Sequence, residues 1–569
     1  MDEVIHRSAV LPGDSNVMDL QIHDINSLPH EVHQEIGSYL DNRSKRQMRL
    51  ANTTWFKIIN YTYFCIWIPR DAMMDALVDR LARYTQPISL RFKKQPNLDP
   101  EKFVKISQLT NLTTFQLAPE NRIDDKYWLQ FSTLTNLEYF WSCMTGVYFD
   151  NYPFKLLENF KKLRGLETYR LNFKFEELAS VFEKLHHLES IKITAEAPDN
   201  VNLISKMHAE HLTSLELNFT NNQVLFSEAD VDKFSNLKRF AWRNDLEEPG
   251  PVVFPIYKLT QLESLECSSE GHLQHIHLFT NLTQLTLWSV HEPNTDPLAK
   301  LTNLVSLTVT GEQYQFDFLR SMPLLQDLKV HARNDGEFLS IIPHESLTKL
   351  DLLTYVQPNS EYLTRFSGLQ VLSFAAAKVC PKLNESIKHL TRLTSAEIIF
   401  WNSDLDLVDF SPLIELKELR LTSCTKQAVS TLHALTQLTK LQISIANETD
   451  FKFLENMPLK FLRMDCHDAP DLWPILAKMT SLEHLEIVLI GERDEQIKGL
   501  SGLTNLTALI VTGRITGEHF TALTSLQTVE LTKVQTTAFY TEQELTTHLP
   551  NLLHFRTGTL CTWRGKQFM

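Results

Sequence analysis

Apolar residues recur along most of this chain in one spacing. Leu109-Thr-Asn-Leu112-Thr-Thr-Phe115-Gln-Leu117 sets the frame, and Leu134-Thr-Asn-Leu137-Glu-Tyr-Phe140 repeats it. The pattern returns at Leu163, Leu166, Tyr169 and Leu171, and at Leu185, Leu188, Ile191 and Ile193. Clear later copies include Phe279-Leu282-Leu285-Leu287, Leu301-Leu304-Leu307-Val309, Leu413-Leu416-Leu419-Leu421 and Leu503-Leu506-Leu509-Val511. With the second leucine as ruler, about 20 copies lie between Leu112 and Leu552, one per about 23 residues. At the end of each copy apolar and polar side chains alternate, as in a strand with one buried face. Each copy therefore predicts one short strand, parallel to the next, with inward leucines stacking on leucines one repeat away. No single copy can bury its own apolar face, so stability has to come from stacking. The segments between strands must cross the opposite side. Phe175 to Leu185 has helical spacing there, and Val201 to His211 is similar.

A period of 20–29 residues with an L-x-x-L-x-L core is the signature of the leucine-rich repeat. The expected fold class is α/β: a leucine-rich-repeat solenoid with a curved parallel sheet over residues 106–532, a last repeat and C-terminal cap over 533–569, and a small all-α unit in front. One departure stands out. The family places Asn or Cys just after the strand, where the side chain satisfies backbone groups. Here that place holds Glu120, Val290, Glu312, Ala446 and Arg514, and only Cys424 fits. The asparagine ladder is expected to be missing and the turns to be irregular.

Residues 1–22 carry no pattern and read as a flexible tail. From Ile25 the text changes. Pro29 at a first helical turn, Glu31 behind it and apolar Val32, Ile36, Tyr39 and Leu40 predict an amphipathic helix. Further helical stretches hold Met48, Leu50 and Ala51, then Trp55, Ile58 and Ile59. Residues 23–70 thus predict a small helical domain, with 71–105 as linker and N-terminal cap of the solenoid.

Residues 28–67 resemble an F-box. The resemblance rests on Leu28-Pro29-x-Glu31-Val32, on Ile36 and Leu40 continuing the apolar face, on the distance to Trp55, and on Trp67 as the closing position. An F-box followed by leucine-rich repeats is a known family. The resemblance implies a substrate receptor of an SCF-type cullin–RING ubiquitin ligase, docking the Skp adaptor, and through it the cullin, by Leu28, Pro29, Val32, Ile36, Leu40, Met48 and Trp55. The repeats would hold a protein substrate and raise its effective concentration near the charged E2 enzyme. The chain departs from the family with Lys45 and Arg46 early in the second helix and Ala51-Asn52 before the tryptophan. The alternatives are a repeat scaffold without a ubiquitin role, whose helical unit caps the solenoid, and a bacterial F-box effector acting in a eukaryotic host.

Composition narrows the function classes. With 43% hydrophobic residues there is ample core material, which excludes global disorder. The 55 basic and 69 acidic residues give a net charge of −14, which argues against non-specific nucleic-acid binding. No basic-then-apolar leader is visible over residues 1–21, and the apolar run at 61–69 is far short of the roughly 20 residues of a membrane span. Seven scattered cysteines without a CxxC pair fit a reduced intracellular chain, so a cytoplasmic or nuclear location is expected. Triplets such as Asn281-Leu282-Thr283 read as by-products of the repeat rather than glycan sites. Only 16 glycines are present, and no phosphate-cradling string occurs among them.

The polar strand positions should face solvent on the concave side, where repeat proteins bind partners. They include Tyr139, Trp141, Arg170, Lys192, Arg239, Arg243, Trp288, Lys329, His331, Asp351, Arg420, Arg463 and Arg556. Tryptophans with arginines on one surface resemble interface hot spots. On so acidic a chain the arginines point to an acidic or phosphorylated partner. His272, His275 and His277 lack the ligands to complete a metal set, and no nucleophile–base frame is present. The expectation is a binding protein with no catalytic site, metal or cofactor.

Overall fold

The computed structural model describes Phe64–Ile68, Ile88–Phe92 and, from Pro100 to Thr557, the strand of each repeat with the segment leading into it. The tail at 1–22 and all seven adaptor-facing positions, Leu28, Pro29, Val32, Ile36, Leu40, Met48 and Trp55, lie outside the described residues, as do the loops after most strands. The chain forms two compact units. One comprises residues 1–236 and 245–252, the other 237–244 and 253–569.

Each unit is built on a ladder of parallel strands in sequence order. In the first, Phe64–Ile68 pairs with Ile88–Phe92, and the ladder continues through Leu112–Leu117, Tyr139–Cys143, Gly165–Leu171 and Ser190–Ala195 to Ser214–Phe219. In the second it runs from Arg239–Asn244 and Ser264–Ser268 to Thr528–Thr532 and His554–Thr557. The fold is a leucine-rich-repeat solenoid. Its strands begin earlier than the sequence suggested. Phe64–Ile68 falls inside the residues assigned to the helical unit, and Trp67 stands opposite Arg91 in a strand pair. Ile88–Phe92 and the helix Pro100–Ser107 occupy the stretch read as linker and cap.

The frame explains the register. Leu285, Leu307, Leu328, Leu350 and Leu372 stand opposite one another on successive strands, each at most 1% exposed. Leu287, Val309, Val330, Leu352 and Phe374 form a second column, all at 0%. Leu282, Leu304, Leu325, Leu347 and Leu369, from the start of each copy, are equally buried. In the first unit part of the corresponding core is aromatic: the Phe115 ring lies 5.2 Å from Phe131 and 6.2 Å from Phe140, and Phe140 lies 6.2 Å from Phe160. The crossing segments are mostly short 3-10 turns such as Leu273–Leu278 and Asp317–Ser321. With repeats this short, the 3-10 rise of about 2.0 Å per residue covers the return distance in fewer residues than an α-helix. Phe175–Phe182 is an α-helix, as its spacing predicts.

One copy had been placed in the wrong frame. Leu163, Leu166, Tyr169 and Leu171 fit the pattern, but Leu166 stands opposite Phe140 and Thr168 opposite Ser142. The true frame is Phe160, Leu163 and Leu166, all buried, with Thr168, 1% exposed, in the last inward place. Two frames three residues apart both satisfy an L-x-x-L rule. The neighbouring strands choose between them, because a slipped register would strand their inward rows.

The places after the strand, Glu120, Val290, Glu312, Ala446 and Arg514, lie outside the described residues, but a different set of asparagines, just before the strand, bonds from repeat to repeat. Asn136 Nδ2 donates to the Thr110 carbonyl at 2.9 Å, Asn236 to Glu210 at 2.6 Å, Asn281 to Thr260 at 3.3 Å and Asn303 to Thr280 at 2.8 Å. Asn505 and Asn551 repeat the contact to Thr480 and Thr524, both at 2.9 Å. Ser346 and Ser481 make a shorter version, each 2.8 Å from a carbonyl one repeat back. The threonine two residues after the asparagine does the same. The Glu263 carbonyl accepts from Thr283 N at 2.9 Å, Gln284 N at 3.1 Å and Thr283 Oγ1 at 3.1 Å. Thus Asn281-Leu282-Thr283 buries its leucine while both polar side chains bond to the repeat behind. The recurring triplets have a structural cause. Cys424, the one residue fitting the family place after the strand, is fully buried.

Replacing Asn303 by Ala should cost about 1 kcal/mol in a urea melt. Asn303→Asp should cost more at neutral pH, because a carboxylate would face a carbonyl. Leu307→Ala, which empties the centre of a column, should cost about 2–5 kcal/mol. An Asp variant as stable as the Ala variant would remove the donor role assigned to Asn303.

Candidate functional site

On each strand the position between the two inward residues faces away from the core. Across the first unit this row reads Gln116, Trp141, Glu167, Lys192 and Glu216. The corrected frame puts Glu167 beside Trp141, the slot the sequence reading had given to Arg170. Arg170 remains on the strand Gly165–Leu171, three residues further on, and its side chain lies outside the described residues. Lys192 Nζ sits between Glu216 at 3.0 Å and Glu167 at 3.6 Å.

Tyr139 and Trp141, both half-buried, lie side by side with ring centres 6.1 Å apart. Tyr139 stands opposite Gly165, and a Cβ built on Gly165 would come within 2.5 Å of the tyrosine ring. The ring can lie against the sheet only because residue 165 has no side chain. Sequence reasoning passed over Gly165. Its signal was there: a glycine inside a strand pattern marks close approach of another group.

In the second unit Trp288 is half-buried, and its indole Nε1 donates to Glu266 Oε1 on the preceding strand at 2.6 Å. Lys329 Nζ reaches Asp351 at 2.8 Å, and His331 reaches the same carboxylate at 3.7 Å. Arg420 pairs with Glu397 at 2.6 Å, and Arg463 with Glu486 at 3.3 Å and Asp465 at 3.8 Å. The row before the first inward residue adds Lys440 with Glu418 at 3.2 Å. Arg239 is exposed, and the side chains of Arg243 and Arg556 lie outside the described residues.

This arrangement changes the reading of the arginines. Parallel strands are about 4.8 Å apart, so opposite charges in one row meet directly. Lys192, Lys329, Arg420 and Arg463 are answered by carboxylates one strand away rather than left to attract an acidic partner. Between the Lys329–Asp351 and Glu397–Arg420 pairs lies a floor of small or apolar side chains: Leu353, Val371, Ser373, Ala375, Ser395 and Ile399. The outward rows of the first unit therefore offer a fixed pair of aromatic rings, and those of the second a fixed indole, neutralised charge pairs and an uncharged patch.

Other candidate chemistry resolves into packing. His277 Nδ1 lies 3.0 Å from the Gln274 carbonyl, and His275 lies against Tyr257, with ring centres 5.3 Å apart. Phe400 is buried in the core. Among the described residues, no group of three or more His, Cys, Asp or Glu side chains could hold a metal ion. No helix among them is long and apolar enough to cross a membrane.

Two groups on this face give it a pH response. Burial pushes the Asp351 pKa up, but hydrogen bonds and charge from His331 and Lys329 together outweigh this and bring it from 3.8 down to about 2. A folded pKa below the unfolded one gives stability that is present above about pH 4 and lost as pH falls toward 2. His484 stacks on Phe461 with ring centres 4.4 Å apart, and burial lowers its pKa below 6.5. Its neutral form is favoured by folding, so this contribution is lost as pH falls below that value. Asp351→Asn should flatten the loss of stability between about pH 4 and pH 2, and His484→Phe the loss below about pH 6.5, in denaturant melts across pH. Unchanged profiles would show that these contacts do not form.

No family model matches the sequence, and no curated protein matches it. Solved structures do. TLR13 in a complex with ssRNA13 aligns at 17% identity over 84% of this chain and 82% of its own, with a TM-score of 0.48. The internalin inlF of Listeria monocytogenes aligns at 17% identity over 55% of this chain and 88% of its own, with a TM-score of 0.36. The plant peptide hormone receptor RGFR1, in complex with RGF2, aligns at 14% identity over 87% of this chain and 88% of its own, also at 0.36. The chain has the fold of a leucine-rich-repeat solenoid, as its frame and its parallel strand ladders establish.

Proposed function

We propose that this chain is a non-catalytic binding scaffold that captures protein through the outward strand rows of its two units, each taken by itself. The observation that carries the reading is the way its aromatic rings are held. Tyr139 lies against Gly165 beside Trp141, and Trp288 is anchored to Glu266. Large rings fixed before binding lose little entropy on contact, and such anchors dominate interface energies. The paired charges around them need no strongly charged partner. The net charge of −14 supports a protein rather than nucleic acid as the ligand.

Trp141→Ala and Trp288→Ala should each weaken capture of the bound protein by about tenfold or more, the effect of losing a hot-spot ring. Affinity purification with quantitative mass spectrometry would read this, with thermal melts confirming that the fold is kept. If both variants retain every partner of the wild type, the rings are not the anchors.

A second reading is favoured by one sequence observation, the Leu28-Pro29 to Trp55 spacing ahead of the repeats. In it, residues 28–55 dock on the Skp adaptor, and through it the cullin, of an SCF-type ubiquitin ligase, and the solenoid presents a substrate in the cytoplasm or nucleus, or in a host cytosol. The Leu28→Ala, Pro29→Ala double variant should then lose adaptor in a pull-down while keeping the partner held by the repeats. Deleting residues 1–70 would be a poorer test, because it removes the strand Phe64–Ile68. No adaptor bound to the wild type would end this reading.

A further inference from the structure

One outward row of the second unit runs Lys329, Asp351, Ser373, Glu397 and Arg420, one residue from each of five consecutive strands. Its charges read plus, minus, none, minus, plus. Lys329 Nζ lies 2.8 Å from Asp351, with His331 at 3.7 Å from the same carboxylate, and Arg420 lies 2.6 Å from Glu397. Each pair therefore puts its carboxylate on a strand next to Ser373 and its cation one strand further away. By register the carboxylates stand about 4.8 Å from the Ser373 strand and the cations about 9.6 Å from it. Charge–charge energy falls with the inverse of distance, so at Ser373 the two nearer negatives outweigh the two farther positives by about two to one. The row cancels as a whole and is negative at its centre.

The centre is also floored by small side chains. Ala375 follows Ser373 on the outward side of the same strand, and Leu353 and Ile399 stand opposite Ala375 on either flank. Both flanking residues are half-buried, so part of their apolar surface is open. The side chains of Asp351 and Glu397 are 31% and 33% exposed, which leaves both carboxylates within reach of a ligand. Lys349, the diagonal neighbour of Ser373, reaches the other way, to Asp327 at 4.0 Å. A small floor between two apolar walls, next to a negative centre, suits a group with an apolar stem and a cationic head.

We propose that this slot takes the side chain of an arginine carried by the protein partner, an inference that rests on the scaffold reading. The methylene stem packs between Leu353 and Ile399 over Ala375. The guanidinium lies over Ser373, with one edge toward Asp351 and the other toward Glu397. Charge then alternates along the row from Lys329 to Arg420. The spacing favours arginine over lysine. The two carboxylate strands are about 9.6 Å apart, and a planar guanidinium presents N–H donors along two edges, whereas an ammonium must draw both carboxylates to one nitrogen. An acidic side chain would stand between two carboxylates. Asp351, whose carboxyl is held at about 2, is ionised throughout the neutral range.

The probe is a blocked glycine–arginine–glycine tripeptide, compared with its citrulline, lysine and glutamate counterparts. Saturation-transfer NMR on the full chain reads such weak binding. The arginine peptide should bind about tenfold more tightly than the citrulline peptide, the effect of a charge-assisted hydrogen bond, and more tightly than the lysine peptide. The glutamate peptide should not bind. The Asp351→Asn, Glu397→Gln double variant should lose the preference for arginine. Ala375→Leu, which fills the floor and keeps both carboxylates, should weaken the arginine peptide as well. Glu486→Gln, which changes a carboxylate elsewhere in the same row, should leave it unchanged. Thermal melts verify that each variant folds. Equal binding of arginine and citrulline peptides, tighter binding of lysine, or an unchanged preference in the double variant overturns the slot. Affinity purification separates this result from the scaffold reading. If wild type and Ala375→Leu capture the same proteins equally well, the slot fails and the scaffold stands. If the arginine peptide binds as described but the chain captures no protein, the slot stands and the scaffold reading fails.

Discussion

The structure depends on one interaction repeated many times: a leucine buried against the equivalent leucine of the next repeat. The columns through Leu307 and Val309 are closed to solvent, yet neither belongs to a core that one repeat could form. Stability in such a chain is a sum of neighbour terms. That is why the polar side chains also act between neighbours. Asn303 reaches back to the Thr280 carbonyl and Thr283 to Glu263, so each copy satisfies the backbone of the one behind it. A carbonyl such as that of Glu263, which receives two backbone donors and a hydroxyl, marks where consecutive repeats are joined.

The same neighbour logic shapes the open face. Residues in one row meet across a strand spacing, so a lysine or arginine beside an acidic residue forms a pair before any partner arrives. Lys192 between two glutamates and Asp351 between Lys329 and His331 are the clearest cases. Exposed pairs of this kind add little stability, typically about 0–1 kcal/mol. Their effect is to leave a surface of modest net charge on which the aromatic rings are the distinctive features. In the proposed scaffold, such a surface would select by shape and ring contact more than by long-range attraction.

How much was visible beforehand varied by feature. The strand frame could be read directly, because inward positions tolerate only apolar residues and the period never breaks for long. The copy at Leu163 shows the limit: Leu163, Leu166, Tyr169 and Leu171 look as good as any other set, and only pairing with Phe140 reveals that Thr168 fills an inward slot. Arg170 lost its assigned place for that reason. The asparagine ladder was sought after the strand, at the family position, while the asparagines stood in plain view in every Leu-Thr-Asn-Leu. Trp141 and Trp288 stand out in the sequence as large rings at outward strand positions, but nothing local could tell that Gly165 makes room for Tyr139 or that Glu266 holds Trp288.

The sequence by itself determined the repeat, the parallel strand ladders and the buried leucine columns, because each follows from spacing within one copy. Only the tertiary structure decided which residues share a row. It chose the frame at Phe160, paired the arginines with carboxylates and brought His187 against His211. The physical reason is distance along the chain. Contacts across a strand spacing join residues 20–27 positions apart, as the asparagine, threonine and ion-pair bonds do, and that separation varies from copy to copy with the length of the crossing segment.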